Sequence, residues 1–167
     1  PWCLKHQGSP HKLVLMKILV LGSGAREHAI IKALIRTGTN PENITCAPGN
    51  GGIAQEVTTI AINQNDPAAV TAWSTQNSVD LVVIGPEAPL VAGVSDALRA
   101  AGIAVFGPSS AAAALEGSKA FAKEIMAAAD VPTGLARKCF NLEEVSGALD
   151  EFGSPFVVKA DGLAAGK

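Results

Sequence analysis

Lys17 to Leu21 reads KILVL, apolar without a break after its first residue, and stops on the turn former Gly22. A strand with one wet face alternates apolar and polar residues. A strand without alternation is buried on both faces and needs a layer of structure above and below it. Those layers follow in the sequence. Arg26 to Thr37 (REHAIIKALIRT) sets Ala29, Ile30, Ala33 and Leu34 on one helical face, and Gly38 stands where a helix C-terminal cap belongs. The unit then repeats: a strand over Ile44–Ala47, the loop PGNGG, a strand over Val57–Ile62, and a helix with Asp66 as N-cap and Pro67 at its first position. Leu81–Ile84 is the next strand, ending in GPEAPL; a helix from about Leu90 to Ala101 and a short strand Ile103–Phe106 ending in GPSS follow. Strands joined through helices run parallel, so the expected fold is α/β, a parallel sheet with helices on both faces.

Past Gly107 the pattern changes. Ser109–Ala129 is alanine-rich and helical, interrupted near Gly117, and Asp130, Val131 and Pro132 mark an exit. Gly134–Phe140 reads as a strand, Asn141 as the cap of a helix over Leu142–Phe152, and Phe156–Lys159 as a strand entering ADGLAAGK. The sequence stops inside that glycine-rich loop and is expected to be a piece of a longer one. The expected organisation is a leader over residues 1–15 outside the fold, a domain over 16–108, a helical linker over 109–132 and the opening of a second domain over 133–167. The leader, PWCLKHQGSPHKLVL, has neither strand alternation nor helical period, and Met16 reads as the natural start.

The charge balance narrows the partners. Thirteen Lys and Arg against 15 Asp and Glu leave a net charge of -2, without the basic excess that attracts a polyanion, so nucleic acid is not expected. No apolar run approaches the roughly 18 residues of a membrane helix, and membrane association is not expected either. Cys3, Cys46 and Cys139 are odd in number and lack metal-ligand spacing, which fits a reducing, cytoplasmic compartment and no metal site in this chain.

The strongest local signal is GSGAREH, Gly22 to His28, between the first strand and its helix. Gly22 and Gly24 let backbone approach a ligand, and the free N–H groups of a helix start favour an anion. Arg26 adds a planar fork suited to phosphate, so a phosphate is expected near Ala25 and Arg26. A dinucleotide fingerprint is incomplete here: Glu27 stands where the third glycine belongs, and the second strand ends in Thr45, Cys46, Ala47 and Pro48 rather than an acid. A tight turn without a ligand is the alternative, and His28 reads more as a structural hydrogen-bonding residue than as a catalyst. PGNGG, with Asn50 and Gly51, and GPEAPL, with Pro86 and Glu87, also follow strand carboxyl ends, the edge at which open α/β sheets bind ligands. Gly162, Gly166 and Lys167 in the terminal loop mimic a phosphate loop without its spacing. With Lys119 and Lys159 they would suit ATP, whose phosphates need several cations and backbone donors.

Taken in order, GSGAREHAI, APGNGG, VVIGPEAPLVAG, FGPSSAAAALEGSKAFAK and VVKADGLAAGK resemble the successive motifs of the phosphoribosylamine–glycine ligase family of the ATP-grasp superfamily, from Met16 to Lys167. The resemblance implies a Rossmann-like N-terminal domain followed by the first elements of an ATP-grasp region. It implies an ATP-dependent ligase of purine synthesis, whose substrates are 5-phosphoribosylamine, glycine and ATP with Mg2+ or Mn2+. It also implies that Gly22, Gly24, Arg26, Glu27, Asn50, Gly51, Pro86 and Glu87 serve phosphoribosylamine, and that Lys119, Lys159, Gly162, Gly166 and Lys167 serve ATP. In the family the metal ligands and most of the glycine site come later in the chain, so this piece is expected to be inactive alone. A non-catalytic module binding a phosphorylated ligand or a dinucleotide is the competing reading.

Overall fold

The computed structural model describes residues 16–163. The leader, Gly166 and Lys167 lie outside the described residues. The chain divides into two compact units, one ending at Ala113 and one beginning at Ala114, a division that falls within the 109–132 stretch.

The first unit is built on five strands: β1 (Ile18–Gly22), β2 (Ile44–Pro48), β3 (Thr58–Thr59), β4 (Leu81–Ile84) and β5 (Ala104–Phe106). Their order across the sheet is β3-β2-β1-β4-β5, and every pairing is parallel. The chain runs outward from β1 to one edge, then crosses back to build the other half. This is the Rossmann arrangement, with a switch point beside β1. Register brings Gly22 opposite Pro48 and Leu21 opposite Ile84, so the carboxyl ends of β1, β2 and β4 finish level with one another.

β1 is buried along its whole length and feeds both faces, as its unbroken apolar run requires. Ile18 and Val20 join Ile31, Ile44, Cys46, Ile53, Val57 and Val83 on one side. Leu19 and Leu21 join Val70, Val82, Ile84, Val94 and Leu98 on the other. Each fully buried aliphatic side chain contributes about 1.5–3 kcal/mol, and these two clusters clamp the sheet between helices.

The helix after β1, α1 (Ala25–Arg36), turns its Ile31 stripe to the sheet, with Ile30, Leu34 and Ile35 partly buried beside it. Ala29 is exposed, unlike the face read from the sequence, because the larger isoleucines take the buried side. α1 ends in a Schellman motif: Gly38, at φ +104°, donates to the Ile35 carbonyl and Thr39 to that of Leu34, both at 3.0 Å. Asp66 caps α2 (Pro67–Gln76), its Oδ1 accepting from the N–H groups of Ala68 and Ala69. The single helix expected over Leu90–Ala101 is two, α3 (Glu87–Val91) and α4 (Val94–Ala100), because Gly93 adopts the left-handed φ of +86° and redirects the chain. β3 is shorter than the strand read over Val57–Ile62. It is an edge strand with two paired residues, and Ile60 and Ile62 pack onto the core instead.

Helix α5 (Ser110–Gly117) runs across the division, and the second unit holds α6 (Lys119–Ala128) and α7 (Leu142–Phe152). Asn141 caps α7 as its sequence predicts, accepting from the Glu144 N–H at 2.9 Å. Gly134–Phe140 and Phe156–Lys159 are not strands. They have no ladder partner among the described residues, and Leu135, Phe140 and Val157 stand largely exposed. Apolar composition alone does not make a strand, since the backbone groups need a neighbouring ladder.

Candidate functional site

Three loops meet at the level carboxyl ends of β1, β2 and β4, and one side chain organises them. Glu27, at the third position of α1, is 3% exposed and folds back beneath the glycines. Its Oε2 accepts from the Gly24 N–H at 2.7 Å, half of a capping box whose other half glycine has no side chain to supply. A Cβ on Gly22 would lie 2.5 Å from Glu27 Cγ, and one on Gly85 only 2.0 Å from Glu27 Oε1. Both glycines are thus fixed by the volume of this glutamate, and Gly22 additionally by its φ of +130°. Glu27 joins the end of β1 to the end of β4 by close packing.

The loop after β2 is tied in by Asn50. Its Nδ2 donates to the Ser23 carbonyl at 2.7 Å, while Oδ1 accepts from the N–H groups of Gly52 at 2.9 Å and Ile53 at 3.0 Å. Gly51 is exposed beside it with open space around its Cα. The Cys46 thiol donates to the Gly22 carbonyl from below at 3.3 Å. Burial, and then the charge of Glu27, push that thiol up to about 11. The loop after β4 reaches the cluster through Glu87, whose Oε1 accepts from Arg26 Nη1 at 3.2 Å, while Arg26 Nε donates to Glu27 Oε1 at 3.1 Å. Pro86 stands at the N-cap position of α3 and makes no side-chain cap bond.

Arg26 is therefore held by two carboxylates, first by Glu27 and then by Glu87, and its pKa is raised further. Glu87 lies below the usual carboxylate range, held there first by its own backbone N–H and also by Arg26. With the Arg26 side chain 55% exposed, such pairs contribute about 0–1 kcal/mol each and serve to orient the guanidinium. Alongside, His28 Nε2 and Lys32 Nζ each lie 2.9 Å from Glu56 Oε1. His28, then Lys32, hold the Glu56 carboxyl low. His28 also packs against Gly52, whose Cβ would sit 3.1 Å from its Cε1, so this histidine braces the β2 loop.

In the second unit, Lys119 opens α6 and its Nζ donates to the Gly162 carbonyl. Lys159 is exposed on the irregular segment three residues before Gly162 and is not drawn toward Lys119 by any contact among the described residues. Gly166 and Lys167, expected in the same loop, lie outside the described residues. No group of three or more His, Cys, Asp or Glu side chains among the described residues is arranged to hold a metal.

Residues 16–116 match the family described as phosphoribosylglycinamide synthetase, N domain, and residues 117–167 match the ATP-grasp (A) domain of the same synthetase. The chain belongs to the phosphoribosylglycinamide synthetase family. It is 62% identical over 153 residues to phosphoribosylamine–glycine ligase of Leifsonia xyli and 56% identical over 154 residues to that of Streptomyces coelicolor. Each alignment covers 91% of this chain and 36% of the relative, so the chain spans about a third of the length of the curated relatives it matches. Among solved structures, N5-carboxyaminoimidazole ribonucleotide synthetase from Thermus thermophilus shares the fold, with a TM-score of 0.65 at 18% identity, over 83% of this chain and 37% of that one.

Within this family member, several residues that organise the loops sit inside the glycine motifs with nothing in their own chemistry to mark the part they play. Ser23 offers only its carbonyl to Asn50, and Gly85 is defined by a glutamate from a distant helix. Glu56 could be found only as the acid within reach of a His28–Lys32 pair one helical turn apart. In the second unit, Asp161 and Ser118 surround the start of α6. The signal for Ser118 is its position as a serine before a helix; Asp161 stands in the ADGLAAGK loop, where nothing in the residues points to a helix 42 positions earlier.

Proposed function

We propose that this chain is the amino-terminal part of an ATP-dependent ligase that joins 5-phosphoribosylamine to glycine in purine biosynthesis. The observation that carries the reading is the 62% identity to a phosphoribosylamine–glycine ligase across 91% of the chain. The chemistry calls for activation, since a carboxylate is a poor electrophile. The glycine carboxylate attacks the γ-phosphorus of ATP, giving glycyl phosphate and ADP. The amine of phosphoribosylamine then attacks the glycyl carbonyl, and phosphate leaves with the acyl C–O bonding pair. The products are glycinamide ribonucleotide, ADP and phosphate.

In this reading residues 16–108 form the domain that presents phosphoribosylamine, 109–132 a helical connection and 133–167 the opening of the ATP-grasp region. Gly22, Gly24, Arg26, Glu27, Asn50, Gly51, Pro86 and Glu87 line the first site; Lys119, Lys159, Gly162, Gly166 and Lys167 the second. Mg2+ or Mn2+ would accompany ATP and neutralise its phosphates. The Arg26 guanidinium donates through Nε to Glu27 and through Nη1 to Glu87, which orients it and leaves other N–H groups of its fork for a substrate phosphate at the helix start. Cytoplasm is the compartment this reading implies, and no described helix is long and apolar enough to cross a membrane.

A dinucleotide-binding module is the second reading, and Glu27 weighs against it. Its carboxylate takes the N–H of Gly24, the glycine at which backbone would approach a pyrophosphate, and its side chain stands where the third glycine packs helix on strand. The test is an assay of the full-length gene product with ATP, glycine and phosphoribosylamine, following ADP release, beside calorimetric titration with ATP and with NAD. ADP release dependent on all three substrates supports the ligase; tight NAD binding without ATP binding overturns it.

A further inference from the structure

Away from the glycine loops of the sheet, the densest set of polar contacts closes on the start of α6. Asp161 Oδ1 accepts from the backbone N–H of Lys119 at 2.6 Å and of Ala120 at 3.3 Å, and Oδ2 accepts from the Ser118 hydroxyl at 2.9 Å. Ser118 Oγ in turn accepts from the Phe121 N–H at 3.1 Å. A helix leaves its first N–H groups without internal partners, and here the first three are satisfied by two side chains, one of them 42 residues further along. The positive end of α6 is thereby occupied by a carboxylate of the protein itself. The Ser118 hydroxyl, then the N–H groups of Ala120 and Lys119, hold that carboxyl below the usual range, so it is ionised at neutral pH. The residue after it, Gly162, takes the Lys119 ammonium on its carbonyl.

We propose that Asp161 is a positioning residue for ATP: it docks the Asp161–Gly162 segment on the start of α6 and so brings Lys119 and Gly162 to the nucleotide as one unit. The inference rests on the reading that Lys119 and Gly162 hold ATP. A chain segment and a lysine on a separate helix would each lose freedom when phosphate binds, and a carboxylate that joins them beforehand removes part of that cost. Because α6 is already capped, phosphate contacts at this place come from the Lys119 side chain and the backbone at Gly162, with the ammonium exchanging the Gly162 carbonyl for phosphate oxygen.

The test uses the full-length enzyme, unmodified and as Asp161→Ala and Asp161→Asn, with KM for ATP and for phosphoribosylamine, ATP affinity by calorimetry, and melting temperature. Asp161→Ala is expected to raise KM and Kd for ATP about tenfold, with the phosphoribosylamine KM within about twofold. Asp161→Asn keeps an acceptor for the Lys119 N–H but loses the charge that roughly doubles such contacts, and is expected to fall between the two. An unchanged ATP KM in Asp161→Ala overturns the proposal, as does an equal rise in both KM values with a lowered melting temperature, which marks a structural role only. If Asp161→Ala does not fold, an ATP KM for Asp161→Asn equal to the unmodified value overturns it instead. Failure of the unmodified enzyme to bind ATP removes the nucleotide reading of the loop and this proposal together. Normal binding by the unmodified enzyme and by Asp161→Ala alike removes only the positioning role.

Discussion

Replacing Gly85 by alanine would put a methyl carbon 2.0 Å from Glu27 Oε1, 2.6 Å from Cδ and 2.7 Å from Cγ. Gly85 lacks the left-handed backbone of Gly22, so the clash and not the conformation decides the outcome. The glutamate cannot move aside freely: it is 3% exposed and held by the Gly24 N–H and by Arg26 Nε. Losing a charge-assisted hydrogen bond costs about 1.5–3 kcal/mol, and overpacking adds about 1–3 kcal/mol. Stiffening of the unfolded chain by alanine returns about 0.4–1 kcal/mol, which leaves a net destabilisation of about 1.5–5.5 kcal/mol. Urea unfolding of the chain, followed by circular dichroism, measures this as a fall in midpoint. A double-mutant cycle isolates the cause. In a Glu27→Ala background the methyl meets no carboxylate, and Gly85→Ala is expected to be neutral or to stabilise by up to about 1 kcal/mol. Equal costs of Gly85→Ala in the two backgrounds would refute the wedge.

Three further expectations concern charge and access. The folded Glu56 carboxyl lies below its ordinary value of 4.5, so its pairing with His28 and Lys32 contributes fully above that value and is lost as pH falls through the lowered one. Acidification below about pH 4.5 should therefore destabilise the unmodified chain more than Glu56→Gln; parallel stability curves would contradict this. Cys46 is fully buried with its thiol pushed up to about 11, so a thiol reagent at about pH 8 should leave it unmodified until urea is added, as peptide mass spectrometry would reveal. Lys159→Met in the full-length enzyme removes a charge from an exposed position, so melting should hold while ATP affinity falls roughly ten- to hundredfold. Unchanged ATP kinetics would return Lys159 to the surface lysines.

How far the fold could be read from the residues depends on how local its causes are. The KILVL run needs only its own composition to announce burial on two faces, and Asp66, Asn141 and Gly38 act within one helical turn of themselves. Those elements stand where the residues put them. The break at Gly93 is also local, yet glycine inside a helical stretch is tolerated often enough that only its φ of +86° decides. Gly134–Phe140 and Phe156–Lys159 have the composition of strands, but a strand is completed by another chain segment, and no amount of alternation supplies one. The same limit applies to the sites. Asn50 bridging to Ser23, Arg26 reaching Glu87, and Asp161 reaching Lys119 are contacts between residues 27, 61 and 42 positions apart, set by sheet register and helix placement.

Glu27 shows what such a contact adds. In the sequence it appears as a missing glycine, which weakens the dinucleotide fingerprint without saying what stands in its place. In the fold it is a buried acid under two glycines, and it changes the electrostatics of the loop. A helix start carries roughly half a positive charge, and Arg26 adds a whole one; Glu27 and Glu87 set two negative charges against them within 3.2 Å of the guanidinium. The bare loop is consequently near neutral or slightly acidic, and no standing positive field draws a phosphate there as it would at an open glycine-rich helix start. In the proposed reading, anion binding at this edge is a two-part exchange: N–H groups of Arg26 beyond the Nε and Nη1 that hold the carboxylates receive the phosphate, and Glu87 serves as a hydrogen-bond acceptor beside it. A ligand that carries both a phosphate and hydrogen-bond donors satisfies both halves of that exchange, whereas inorganic phosphate satisfies one. In the ligase reading proposed above, phosphoribosylamine, with its hydroxyls and amine, would be a ligand of the first kind, and the acid that spoils the dinucleotide fingerprint would help to select it.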